Sequence, residues 1–289
     1  MPACDICDDT TWQTTVVDGT PAVTRCSCWH QRLYQSLLTH ARVPRRYAHC
    51  ELTNFETHTD SQRAAHRRAT TLVEQFPVVE KGVLFHGDAG VGKTHLAIAL
   101  MKETIRRKGA RAVFYETREL LKVVRDTYNK GVEATELEVL KPVLEAELLV
   151  LDDLGTEKKS EWVDEMIGLV VNTRYSERRV TVITTNLVDS ANTEPNSFAF
   201  QLGLRTRSRL KEMCDWVQID GPDTRDLGPH PTAADLKQWQ RESPASPQNR
   251  GRVSLPSRTG GQAKASLKDH DKRGSMDLKW PGGRAGSKS

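Results

Sequence analysis

Eight consecutive residues, Gly87-Asp88-Ala89-Gly90-Val91-Gly92-Lys93-Thr94, constrain this chain more than any other segment. They fit the pattern GxxxxGK[ST], follow the strand-like run Gly82–His86 and open a helix-like run, Lys93–Lys108. That context is the one in which the pattern has chemical meaning. Glycines let backbone N–H groups turn inward around phosphate oxygens, and the helix N-terminus adds the positive end of its dipole. Lys93 would reach the β- and γ-phosphates and Thr94 would offer its hydroxyl to magnesium, with His95 beside them. A nucleoside triphosphate and Mg²⁺ are therefore the expected ligands.

The segments around this loop alternate between strand and helix. Strand-like runs fall at Gly82–His86, Arg111–Glu116, Leu148–Asp152, Val180–Thr185 and Trp216–Ile219. Most are continuously apolar, as strands covered on both faces are. Helical periodicity fills the gaps at Lys93–Lys108 (stopped by Gly109), Arg118–Tyr128 and Glu161–Tyr175. The pattern predicts an α/β core with a parallel five-stranded sheet and right-handed crossovers. Upstream, Ala65, Ala69, Leu72, Val73 and Phe76 repeat at helical spacing, with Asp60 the expected N-cap and Pro77 the stop.

In such a sheet ligands gather at the C-terminal ends of the strands. Leu148-Leu149-Val150-Leu151 ends there in Asp152 and Asp153. Asp152 would complete the magnesium shell, and Asp153 would orient or deprotonate the attacking water. The run Val180–Thr185 ends in Asn186, whose amide suits the γ-phosphate or the water.

Four of the six cysteines lie in the first 28 residues, as Cys4-x-x-Cys7 and Cys26-x-Cys28. Two such pairs can close a tetrahedral thiolate site on Zn²⁺, and a segment this short needs the metal for stability. His30 is an alternative ligand. Cys50 and Cys214 have no partner in sequence and are expected in the core.

Charge and composition set the rest. The net charge is +4, but Asp226–Ser289 alone carries +6, leaving −2 for the first 225 residues. That last stretch holds 8 Gly, 6 Pro and 8 Ser and lacks apolar periodicity, so it is expected to be a disordered basic tail. The expected organisation is a zinc-binding module at 1–30, a helical linker at 31–77, the ATPase core at 78–225 and the tail at 226–289. No apolar run approaches the roughly 20 residues of a membrane span, and the N-terminus lacks the features of a signal peptide. A cytoplasmic location without membrane partners follows as an expectation.

The ordered set GDAGVGKTHLA, LLVLDDLG, NTRY with TVITTN, and RTRSRL resembles the AAA+ ATPases of the DnaC-type helicase loader group and the related IstB-type transposition ATPases. The likeness covers roughly residues 43–225. It implies an ATP-dependent helicase loader that assembles with like subunits, a hexameric replicative helicase and single-stranded DNA. By motif position Asn186 would be sensor 1, and Arg209 the arginine finger serving a neighbouring subunit, with Arg205 one helical turn away. Val43-Pro44-Arg45-Arg46-Tyr47 would lie near the adenine. Lys122, Arg125 and Lys130 would meet single-stranded DNA in the segment 116–147, where Pro142 is expected to break a helix. The lid domain of many AAA+ proteins has no counterpart after Arg225, which is left as a substitute for sensor 2. Two other readings are a transposition ATPase that coats DNA and a nucleotide-switched DNA-binding scaffold with little turnover. The cysteine module favours the loader over the first, and Asp153 with Arg209 argues against the second.

Overall fold

The computed structural model describes residues 4–17, 19–129, 135–190 and 194–227, with 232, 235 and 237–239. Five strands form the sheet: β3 (Gly82–His86), β4 (Ala112–Glu116), β5 (Leu148–Leu154), β6 (Val180–Thr185) and β7 (Cys214–Gln218). All pair in parallel, in the order β4-β5-β6-β3-β7. The expected fold class is the one observed. β7 starts at Cys214, two residues before the expected Trp216, because Cys214 pairs with Gly82.

Helices cover both faces, as continuously apolar strands require. One core layer joins Val83, Phe85, Val150 and Val182 to α2 (Asp60–Gln75) and α3 (Lys93–Lys108). The other joins Leu84, Leu149, Leu151 and Ile183 to α4 (Thr117–Asp126), α5 (Glu136–Glu145), α6 (Glu161–Ser176) and α7 (Phe198–Met213). The helix expected as a linker, α2, is thus part of the first core layer.

Two local expectations are corrected. The N-cap of α2 is Thr59, not Asp60: Thr59 Oγ1 accepts from the Gln62 N–H at 3.1 Å, and Gln62 Oε1 accepts from the Thr59 N–H at 3.1 Å. Asp60 falls in the first turn, where its charge meets the helix dipole. Pro142 does not break its helix. It lies inside α5, where burial of Leu140 and Val143 outweighs one lost backbone bond. The basic segment of α7 follows a kink, since Gly203 is non-helical at φ 77°.

The N-terminal segment folds as a hairpin, β1 (Trp12–Val17) with β2 (Thr20–Arg25), followed by α1 (Cys28–His40). This helix runs across the expected boundary at residue 30. Just beyond it, the Ala41 carbonyl accepts from the Phe114 N–H of edge strand β4 at 2.9 Å. At the other end a short helix, α8 (Thr224–Leu227), includes the first two residues of the expected tail. Thr232 also bonds to Asp235 through its backbone and side chain. Most of the remaining expected tail, and Lys130, lie outside the described residues.

Candidate functional site

β3 ends at His86 and the chain turns sharply into α3. Gly87 has φ 140°, and a Cβ there would come 2.1 Å from the Ile219 carbonyl oxygen, so only glycine fits against the end of β7. Gly92 caps α3 in the left-handed region at φ 100°, packed against Phe55. Val91 is buried in the core and anchors the loop, while Ala89, Gly90, Gly92, Lys93, Thr94 and His95 line a cleft of about 460 Å³. That volume falls within the usual range of small-ligand sites, roughly 300–1,000 Å³.

Lys93 is buried and folded back over the loop. Its Nζ donates to the carbonyls of Gly87 (2.9 Å) and Asp88 (2.6 Å) and to Asn186 Oδ1 (2.7 Å). Burial lowers its pKa to about 8, against the pull of Asp153, Asp88 and Asp152. Asp88 thus bonds Lys93 through its backbone carbonyl, while its carboxylate acts on Lys93 only through its charge.

Asp152 is buried at the end of β5, and its Oδ1 accepts from Thr94 at 2.8 Å and Thr184 at 2.6 Å. Burial raises its pKa, and the two hydroxyl donors oppose that rise. Thr94 and Asp152 offer a hydroxyl and a carboxylate oxygen side by side, a donor set that suits a hard divalent cation. Asp153 sits in the left-handed region at φ 56°, held by its N–H to Thr184 Oγ1 at 2.9 Å. The same strand residue, Thr184, thus fixes both acids.

The sequence-predicted residues Lys93, Thr94, Asp152, Asp153 and Asn186 converge on this cleft. Arg46, Tyr47 and Arg225 line it too. The Thr224 N–H and hydroxyl both donate to the Gly90 carbonyl, at 3.1 and 2.9 Å, which seats α8 on the loop. Arg209 is elsewhere: its guanidinium lies over the Tyr175 ring, 5.7 Å from the centroid. Arg207 pairs with Asp189 and Arg205 is exposed. Arg125 lies over the Trp162 ring, whereas Lys122 is exposed. Sequence reasoning passed over Thr184 and Thr117, whose hydroxyl donates to the Asp152 carbonyl at 2.8 Å. A threonine in an apolar run gives no signal of where its hydroxyl points.

A second cluster gathers in the N-terminal hairpin. The Sγ atoms of Cys4, Cys7, Cys26 and Cys28 all lie within 4.8 Å of one another, with Cys4–Cys26 at 3.7 Å and Cys7–Cys28 at 3.5 Å. Ligand distances of about 2.3 Å in a tetrahedron put sulfurs about 3.8 Å apart, so the cluster fits a zinc-sized ion. His30 is not among these donors. Cys50 and Cys214 are both buried, and Cys214 Sγ faces the Thr181 carbonyl at 3.6 Å.

Residues 24–225 match the family described as IstB-like ATP binding protein. The replicative helicase loader DnaC of Escherichia coli (strain K12) is 28% identical over 141 residues, which span 48% of this chain and 56% of that protein. The chain thus spans little more than half the length of that relative. A crystal structure of the DnaC helicase loader is 34% identical, covers 61% of this chain and 100% of that one, and superimposes with a TM-score of 0.55. The crystal structure of DnaI has the same fold, at 24% identity and a TM-score of 0.51 over 63% of this chain and 94% of its own. The chain therefore belongs to the IstB-like ATP binding protein family, as an AAA+ protein of the DnaC type.

Proposed function

We propose that this protein is an ATP-dependent helicase loader, which binds ATP with magnesium and assembles with like subunits on a hexameric replicative helicase and single-stranded DNA. The observation that carries the reading is the contact of Thr94 with Asp152 at 2.8 Å, beside Lys93 and Asn186 in one cleft. On binding, the loop N–H groups would donate to phosphate oxygens in the place that Lys93 now bridges. Lys93 exchanges two carbonyl partners for the β- and γ-phosphates. Asn186, released from Lys93, is then free to hold the γ-phosphate or the water. Thr94 and Asp152 would hold magnesium, which neutralises phosphate charge when bound. Asp153 orients the water and takes its proton. Arg225, with Arg46, faces the cleft and would serve as sensor 2.

Arg209 stands outside its own cleft, which is consistent with a finger offered to a neighbouring subunit. The cysteine cluster would hold zinc and keep the hairpin folded as a helicase-docking module, and the ATPase core of residues 78–225 would extend to include the packed helix α2. The 34% identity to the DnaC loader structure supports the loader over a DNA-coating transposition ATPase.

The test is capture of a purified hexameric replicative helicase by the tagged full-length chain, with ATP turnover measured alongside. Retention of the helicase in an ATP-dependent ratio is the expected result. Turnover on DNA with no helicase retained would move the assignment to the transposition ATPase.

A further inference from the structure

Three side chains that reach neither the loop carbonyls nor the paired acids, His95 of the nucleotide site among them, converge in the cleft. His49 and Cys50 are consecutive, and His95 is the third residue of α3. One ring nitrogen of each histidine and the Cys50 Sγ all lie within 4.8 Å of one another, and Cys50 Sγ is 3.9 Å from His49 Nε2. A tetrahedral zinc ion, about 2.3 Å from sulfur and about 2.0 Å from nitrogen, separates two such ligands by about 3.5 Å. A small side-chain rotation closes that difference.

The surroundings hold the donors in place. His95 Nε2 faces Asn54 Oδ1 at 3.0 Å and the Glu51 carbonyl at 3.2 Å. With two acceptors before it, Nε2 carries the proton and Nδ1 keeps the lone pair. Metal-ligating histidines are oriented this way, by donating the other ring N–H to an oxygen. Asn54 Nδ2 also donates to the His49 carbonyl at 2.8 Å. From inside, Lys102, 4% exposed, donates to the carbonyls of Ala48 (2.7 Å) and Cys50 (2.8 Å), and Glu51 Oε1 balances its charge. The backbone on either side of His49 is therefore fixed, while His49 itself is exposed and gives an ion a way in.

We propose that His49, Cys50 and His95 form a second transition-metal site, distinct from the Cys4 cluster, that takes a zinc-class ion with a fourth position open to the cleft. Two imidazoles and one thiolate select borderline and soft cations and are poor ligands for magnesium or calcium. The site depends only on these side chains, so its occupancy can be read without any nucleotide.

The full-length chain, stripped of metal by chelation, is titrated with Co²⁺ and followed by absorption. Wild type should bind one equivalent more than Cys50→Ser, whatever the Cys4 cluster holds. The difference spectrum should carry one thiolate-to-cobalt charge-transfer band and the visible bands of a tetrahedral ion. His49→Gln, a change at an exposed side chain, should weaken that equivalent by at least about tenfold, and it serves as the test if Cys50→Ser fails to fold. Equal cobalt uptake and unchanged spectra in wild type and His49→Gln would overturn the proposal, as would equal uptake in a folded Cys50→Ser.

Discussion

The Thr94 hydroxyl donates to Asp152 Oδ1 across 2.8 Å, joining the first turn of α3 to the end of β5. Thr184 donates to the same oxygen at 2.6 Å from the strand between them. Replacing Thr184 with Val keeps the shape and removes that donor. It also leaves the Asp153 N–H without its acceptor. The loss should be about 1–3 kcal/mol of stability, read by denaturant unfolding, with weaker magnesium-dependent nucleotide binding.

Lys93→Ala deletes the cation of the phosphate loop. A charge-assisted hydrogen bond is worth about 1.5–3 kcal/mol, so nucleotide affinity should fall by roughly 10- to 100-fold or more in a fluorescent-nucleotide titration. Lys93 also sets a pH dependence. Its folded pKa of about 8 lies below the ordinary lysine value of 10.5, so the unfolded chain binds the extra proton between those limits. Stability of the unliganded protein relative to Lys93→Met should therefore rise as pH climbs from about 8 to about 10.5. Phosphate charge favours the ammonium form, so ATP binding near pH 8.5 should take up protons, measurable by calorimetry in buffers of different ionisation enthalpy.

Asp153→Asn should retain nucleotide affinity and lose turnover by roughly 10²–10⁴-fold, because an amide cannot take a proton from water. Asparagine tolerates the left-handed backbone at φ 56°, so the variant should melt near wild type. Wild-type turnover in Asp153→Asn would remove Asp153 from the catalytic role.

Arg209→Ala should bind ATP normally and hydrolyse it about 10³–10⁵-fold more slowly when assembled. Mixing it with Lys93→Ala should restore part of the activity, since some interfaces then join an intact loop to an intact Arg209. Loss of ATP binding by isolated Arg209→Ala subunits would instead mean a role within its own chain.

Cys4→Ser with Cys7→Ser should release about one zinc per chain by elemental analysis and abolish helicase capture, while the core transition in calorimetry persists. Absence of zinc from freshly purified reduced wild type would discard the metal reading.

The strands and the phosphate loop were legible because their signals are local: apolar runs, glycine spacing, acids at a strand end. What the sequence hid depends on neighbours distant along the chain. Arg174 is fully buried and donates to the carbonyls of Val143, Ala146 and Val180, tying α5 to β6. Nothing in NTRY indicates that burial. His49 and His95 meet only because the chain before α2 returns to α3. The hairpin has a local signal of another kind, two runs rich in threonine and valine that pair from Trp12 with Arg25 to Val17 with Thr20.

The strand order carries one more consequence. β6 separates β3 from β5, so the phosphate loop and Asp152 are two interstrand spacings apart, about 10 Å of backbone. Thr184, on the strand between them, lines the cleft and donates to Asp152 Oδ1. A longer side chain at 184 would intrude where the cation is expected, and a shorter one would leave Asp152 supported from one side. The gauge of the site is thus set by pairing in the sheet, not by the octapeptide.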